Sequence, residues 1–246
     1  MSARKKTSKP KQGLWFVALL GLFISCLGAS WLLQAKGHYG YTFWYDFFAI
    51  QSHIEKYAPQ NYYKEGFAAL PASEHIRAFN EISEAVHQQG LGLSEIQYQY
   101  RGEAVPLLTQ AECVHLQDVA NLIDVLTYSA AVVAALTILL LFYLVKSQSA
   151  PQPRMQLRAL LLLLIGAPVL VWALGAKKVF YQLHVWIFPE GHQWFFYYQE
   201  SLMSTLMKAP DLFAGIGIAI FLGAILLFVL MLLALYFLKW RSGFKA

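Results

Sequence analysis

Charge and cysteine are what this 246-residue sequence has least of: Lys, Arg, Asp and Glu make up 13% of it and cysteine occurs twice, while 58% is hydrophobic. Cys26 falls in an apolar run and Cys113 in a polar one. A disulfide needs its Cα atoms within roughly 7 Å, which a mid-membrane and a loop position do not satisfy, so neither a disulfide framework nor a thiolate metal site is expected. The basic residues form no run interleaved with aromatics, which excludes a nucleic-acid surface. The His-Glu-x-x-His motif and other recognised zinc spacings are missing, and so is the Gly-x-Ser-x-Gly elbow of serine hydrolases. Ser201 and Ser204 stand in a polar strip with an ordinary structural explanation. Neither a resident metal nor a cofactor is expected. Internal repeats are lacking too, and low complexity is confined to the basic N-terminal tail.

What the sequence does contain is apolar residues gathered into blocks, which is membrane composition. A hydrocarbon core of about 30 Å demands about 20 apolar residues of a helix. Leu14–Leu33, Leu122–Val145, Leu157–Ala176 and Leu212–Leu238 reach that length. The first also resembles a secretory signal, with Phe23-Ile24-Ser25-Cys26 similar to a lipobox. A signal's apolar region is typically about 7–15 residues, shorter than this run, so an uncleaved helix is expected.

The net charge of +5 is unevenly placed. Arg4, Lys5, Lys6, Lys9 and Lys11 precede the first span, Lys146, Arg154 and Arg158 lie between the second and third, and Lys239, Arg241 and Lys245 follow the fourth. No acid accompanies them; the 14 acidic residues lie in the other two segments or, for Asp124, at the outer end of a span. Lys and Arg favour cytoplasmic flanks. Both termini are therefore expected in the cytoplasm.

The expected fold is an all-α membrane protein, four transmembrane helices with a mainly helical extracytoplasmic cap and an aromatic interfacial loop. Its parts in order are a basic tail (1–13), span one (14–33), the cap (34–121), span two (122–145), a cytoplasmic loop (146–156), span three (157–176), the aromatic loop (177–211), span four (212–238) and a second tail (239–246). In the cap, Ala78, Ile82 and Val86 at i, i+4, i+8 predict an amphipathic helix from Ser73, as N-cap, to Gln89, stopped by Gly90 and Gly92. Alternating Ile96, Tyr98 and Tyr100 predict a short strand, 95–100, before an Arg101-Gly102 turn. Thr109 with Glu112 three residues on predicts a capping box opening the helix that becomes span two. In the aromatic loop, His184, Pro189, Glu190, Gly191 and His192 predict a re-entrant or interfacial turn, irregular backbone that protein or water must satisfy.

All seven histidines fall on the outer side, and two stand out by position. His115 enters span two with Glu112 at i−3 and Asp118 at i+3; His184 lies just past span three. A histidine flanked by carboxylates can be held in one tautomer and serve as a general base. Spacing alone favours a solvated helix surface instead, since such pairs are worth only about 0.2–0.5 kcal/mol. Headgroup depth shifts the balance toward function. A metal site drawn from His75, His115, His184 and His192 is a further reading without a supporting motif. Asp124 lies two and a half turns beyond His115 on the opposite helix face and receives no role.

The run Leu108-Thr109-Gln110-Ala111-Glu112-Cys113-Val114-His115-Leu116-Gln117-Asp118-Val119 resembles the Glu-x-x-His-x-x-Asp-Val signature of the membrane family that includes the lipoprotein intramolecular transacylase. His184, Phe188, Gly191, Trp194, Leu202 and Pro210 resemble its second signature. The resemblance covers the second half of the cap and all that follows, with only loose similarity in Gln34–Gln89. It implies an acyltransferase acting on the diacylated N-terminus of a lipoprotein in the membrane, moving the sn-2 acyl chain of diacylglyceryl-cysteine to the α-amino group of the same cysteine. It also implies His115 and His184 as catalytic groups, Glu112 or Asp118 as orienting ones, and Phe188, Gly191 and Trp194 as substrate-lining. The competing class is a membrane scaffold or sensor that binds a partner through its cap, with dispensable histidines.

Overall fold

The computed structural model describes residues 9–241. Arg4, Lys5, Lys6 and Lys245 lie outside the described residues. Helix α1 spans Lys9–Ala35; α2 (Tyr41–Phe47), α3 (Ile50–Tyr57) and α4 (Ala72–His87) follow, then strands β1 (Gln97–Tyr100) and β2 (Glu103–Pro106). The rest is helical: α5 (Gln110–Lys146), α6 (Pro153–Leu174), α7 (Ala176–Ile187), α8 (Leu202–Met207) and α9 (Asp211–Arg241). Four helices among the described residues, α1, α5, α6 and α9, are long and apolar enough to cross a membrane. The protein is an integral membrane protein.

The chain divides into two compact units. The first gathers the described parts of Met1–Ser30, Thr127–Leu183 and Phe221–Ala246. Most of its apolar surface stays outside any protein core, Leu162 and Trp172 being 76% and 80% exposed, as lipid-facing side chains must be. Where helices do meet, small residues permit it. A side chain at Gly21 would run into Thr137, and one at Gly28 would approach the Ala130 methyl to 3.0 Å, so the α1 backbone lies directly against small side chains of α5. The connector after α5 is tied to α1 by Gln12, whose Nε2 donates to the Ala150 carbonyl at 3.0 Å and whose Oε1 accepts from the Gln152 N–H at 2.9 Å.

The second unit, Trp31–Leu126 with His184–Ile220, has its own core. Tyr41 stacks on Phe79 at 3.8 Å with the rings 6° from parallel, and its hydroxyl donates to the Leu206 carbonyl at 2.7 Å. Ala78, Ile82 and Val86 are buried along α4, as their spacing predicts. The helix starts two residues earlier than a Ser73 N-cap would place it, however. Pro71, with φ −67° and extended ψ, stands at the N-cap, and Ser73 is the second helical residue, with no side-chain cap. At the other end the chain turns left-handed at Gln89 and Gly90, and the Gly90 N–H returns to the Ala85 carbonyl at 2.8 Å.

The predicted strand is there as β1, with Tyr98 buried and Gln97 and Gln99 exposed. Its antiparallel partner β2 went unforeseen, because Glu-Ala-Val-Pro is exposed except at Val105 and carries no alternation to read. Arg101 and Gly102 both take positive φ, 52° and 84°, as a two-residue hairpin requires. The Thr109–Glu112 capping box forms and opens α5. Within the aromatic segment the first part is helix: α7 carries the chain past His184, and irregular backbone begins only at Phe188.

Candidate active site

The site is assembled from the first two turns of α5, the end of α7 and the irregular stretch 188–201, all in the second unit. Its anchor is Glu112, fully buried. One carboxylate oxygen accepts the Thr109 N–H at 2.6 Å and the other accepts the Ser201 hydroxyl at 2.5 Å. Ser201 Oγ in turn accepts the Ser204 N–H at 2.8 Å, capping α8. Glu112 thus closes the N-terminus of α5 and holds the serine that caps α8. Nearby, Lys64 donates to the Leu107 carbonyl at 2.6 Å; burial pushes its ammonium below the usual lysine range, and the Glu112 charge works in the opposite sense.

One turn along α5 lies His115. Its ring contacts Phe188 at 5.0 Å and Phe196 at 5.9 Å between centroids. Its Nδ1 is buried and makes no hydrogen bond among the described residues. His184, near the end of α7, contacts the same Phe188 at 5.2 Å and Trp194 at 4.8 Å. The structure therefore brings His115, His184, Phe188 and Trp194 together, with Phe188 as the shared neighbour of both imidazoles. Gly191 lies in an exposed turn with φ +86°, where the His192 N–H reaches the Pro189 carbonyl at 3.2 Å.

Neither carboxylate expected to orient His115 hydrogen-bonds it. Glu112 is spent on Thr109 and Ser201, because the capping box turns its side chain back toward the helix start. Asp118 bonds His192, Nδ1 to Oδ2 at 2.6 Å. Sequence reading passed over Phe196, one ring among many, and gave Ser201 only a structural role without its partner. His75, an alternative metal ligand, is a core residue: its Nδ1 accepts from the Tyr45 hydroxyl at 2.8 Å and its Nε2 donates to the Phe67 carbonyl at 2.9 Å. Among the described residues no three His, Cys, Asp or Glu side chains gather as a metal site would need.

Comparison with known proteins bears on this arrangement. The model of the family described as lipoprotein intramolecular transacylase Lit matches residues 95–208, a span holding Glu112, His115, Asp118, His184, Phe188 and Trp194 but not Lys64. In fold and over that span, the chain is similar to Lit. Three solved structures of the membrane integral lipoprotein intramolecular transacylase Lit from Bacillus cereus share its architecture. One has a TM-score of 0.65 and 16% identity over 96% of this chain and 99% of that one. A second, with one histidine replaced by arginine, gives 0.65 and 16% over 96% and 95%. A third, with a histidine-to-alanine replacement, gives 0.66 and 16% over 96% of both. No curated protein matches the chain.

Proposed function

We propose that this protein is a transacylase that moves the sn-2 acyl chain of a lipoprotein's diacylglyceryl-cysteine onto the α-amino group of the same cysteine. The observation that carries the reading is the pair of imidazoles, His115 and His184, set against one phenyl ring within the Lit-matching span. The amine nitrogen attacks the ester carbonyl carbon and a tetrahedral oxyanion forms. The bond from that carbon to the glycerol oxygen then breaks, leaving an amide and a free hydroxyl. One histidine takes the ammonium proton and passes it to water; the nitrogen's second proton, lost as the amide forms, replaces the one the other histidine gives to the departing alkoxide, so each turnover of an ammonium substrate releases one proton. Because amine and ester belong to one molecule, holding them together supplies much of the rate and no enzyme nucleophile is required. Phe188, Phe196 and Trp194 keep the imidazoles in a low-dielectric surrounding where hydrogen bonds to an oxyanion count for more.

The acyl chains have an apolar approach: Val185, Trp186 and Ile187 beside His184 are 59%, 73% and 47% exposed. The distribution of Lys and Arg supports placing this face on the extracytoplasmic side of the inner membrane, with both termini in the cytoplasm. The test is mass spectrometry of lipoprotein N-terminal peptides from cells with and without the protein. N-acyl lyso-glyceryl cysteine should accumulate only in its presence and vanish with His115→Ala or His184→Ala. Unchanged N-termini in both variants would overturn the assignment.

A further inference from the structure

The rings against the histidines are carried by backbone that is neither helix nor strand. Phe188 and Trp194, both in contact with His184, bracket a tight turn at Pro189–His192 that Gly191 makes possible at φ +86°. Such a turn has no ladder of its own to fix it, so its position depends on side chains that reach rigid elements. His192 does this. Its Nδ1 lies 2.6 Å from Asp118 Oδ2, one turn of α5 beyond His115 and thus on the same helix face. The separation is short for a hydrogen bond between an imidazole nitrogen and a carboxylate oxygen. The Asp118 side chain is 13% exposed and its partner 41%, so the acid is held largely away from water while the imidazole closes over it.

We propose that His192, through Asp118, is a positioning residue that pins the Phe188–Trp194 turn to α5 and so sets how His184 and His115 face a shared substrate. The inference rests on the transacylase reading and deepens it. His192 makes no ring contact with either catalytic histidine, so it acts on the reaction through the turn it holds. A solvated surface pair would contribute little to anything. A clamp on the site's aromatic wall has a kinetic signature, because misplacement of about 1 Å can cost about 100-fold in rate.

The full chain in lipid nanodiscs, given a synthetic diacylated lipopeptide, distinguishes the two. His192→Ala is expected to lower kcat about tenfold or more with KM within about twofold. His192→Asn, which keeps an N–H donor close to the Nδ1 position, should restore kcat to within about threefold of wild type. Asp118→Ala should match His192→Ala, and the double variant should be no worse than either, since one bond is lost in all three. If His192→Ala does not fold, His192→Phe decides: it keeps a planar ring but cannot bond Asp118, so kcat must fall about tenfold, and full kcat overturns the clamp. Full kcat in His192→Ala and Asp118→Ala, with His115→Ala and His184→Ala inactive, overturns the clamp and leaves the proposed function standing. Full activity in all four overturns the function itself.

Discussion

The carboxylate of Glu112 accepts the hydroxyl of Ser201 at 2.5 Å across 89 residues of sequence, with both side chains fully buried. The bond joins the capping box of α5 to the cap of α8. Removing the acid by Glu112→Ala strands the Thr109 N–H and the Ser201 hydroxyl in the core, and should cost about 2–4 kcal/mol. Glu112→Gln can accept from Thr109 with its oxygen and donate to Ser201 with its nitrogen. It should therefore melt nearer to wild type than the alanine variant. Thermal unfolding in detergent gives the order, and a glutamine variant as unstable as the alanine one would refute the bonding scheme.

That pair also marks how far the sequence could be read. Thr109 and Glu112 are three residues apart, so local chemistry exposes their capping box; Ser201 is a partner only tertiary structure can supply. The same divide runs through the rest of the fold. Apolar blocks foretell the four long helices because the bilayer imposes length and composition together, and α4 shows its buried face in its spacing. Strand β2 has no such pattern, being exposed and short. In the site, His115 and His184 stand out by their positions at the ends of apolar runs. The partner of Asp118 could not be foreseen, because helical spacing pointed inward along α5 while the bond goes to the turn at His192.

Loss of either imidazole at Phe188 should remove a proton-transfer group. His115→Ala and His184→Ala are each expected to lower kcat by about 10²–10⁴. On the proposed mechanism both serve one acyl transfer, so the double variant should fall by far less than the product of the two. Product formation on the diacylated lipopeptide, followed by mass spectrometry, measures this. A strictly multiplicative double loss would mean the two histidines act in separate steps.

Three histidines of the second unit should make stability depend on acid. Burial pushes the imidazoles of His53, His75 and His87 below the ordinary histidine range. The folded state therefore binds fewer protons at these sites than the unfolded chain, whose histidines titrate near about 6.5. Their stabilising share is whole above that pH and is lost as pH falls through it toward the lower folded values. Melting temperature should drop between about pH 7 and pH 5, before most carboxylates titrate. His75→Gln, whose amide can still donate to the Phe67 carbonyl, should flatten that slope. An unchanged slope would show that His75 is not among the groups that take up protons on unfolding.

Gly66 tests the packing beneath the hairpin. Its φ of +79° is one that L side chains rarely adopt, and a Cβ built there would overlap the ring of Tyr100 at the end of β1. Two costs follow from one methyl group, a strained backbone and an overpacked contact, together about 2–4 kcal/mol for Gly66→Ala. They can be separated. Tyr100→Ala removes the ring but not the dihedral, so in the double variant the steric part should be relieved and the backbone part of about 1 kcal/mol should remain. Denaturation midpoints of the two single variants and the double one give the coupling directly. If Gly66→Ala melts within about 0.5 kcal/mol of wild type, the turn does not hold Tyr100 against Gly66 as described.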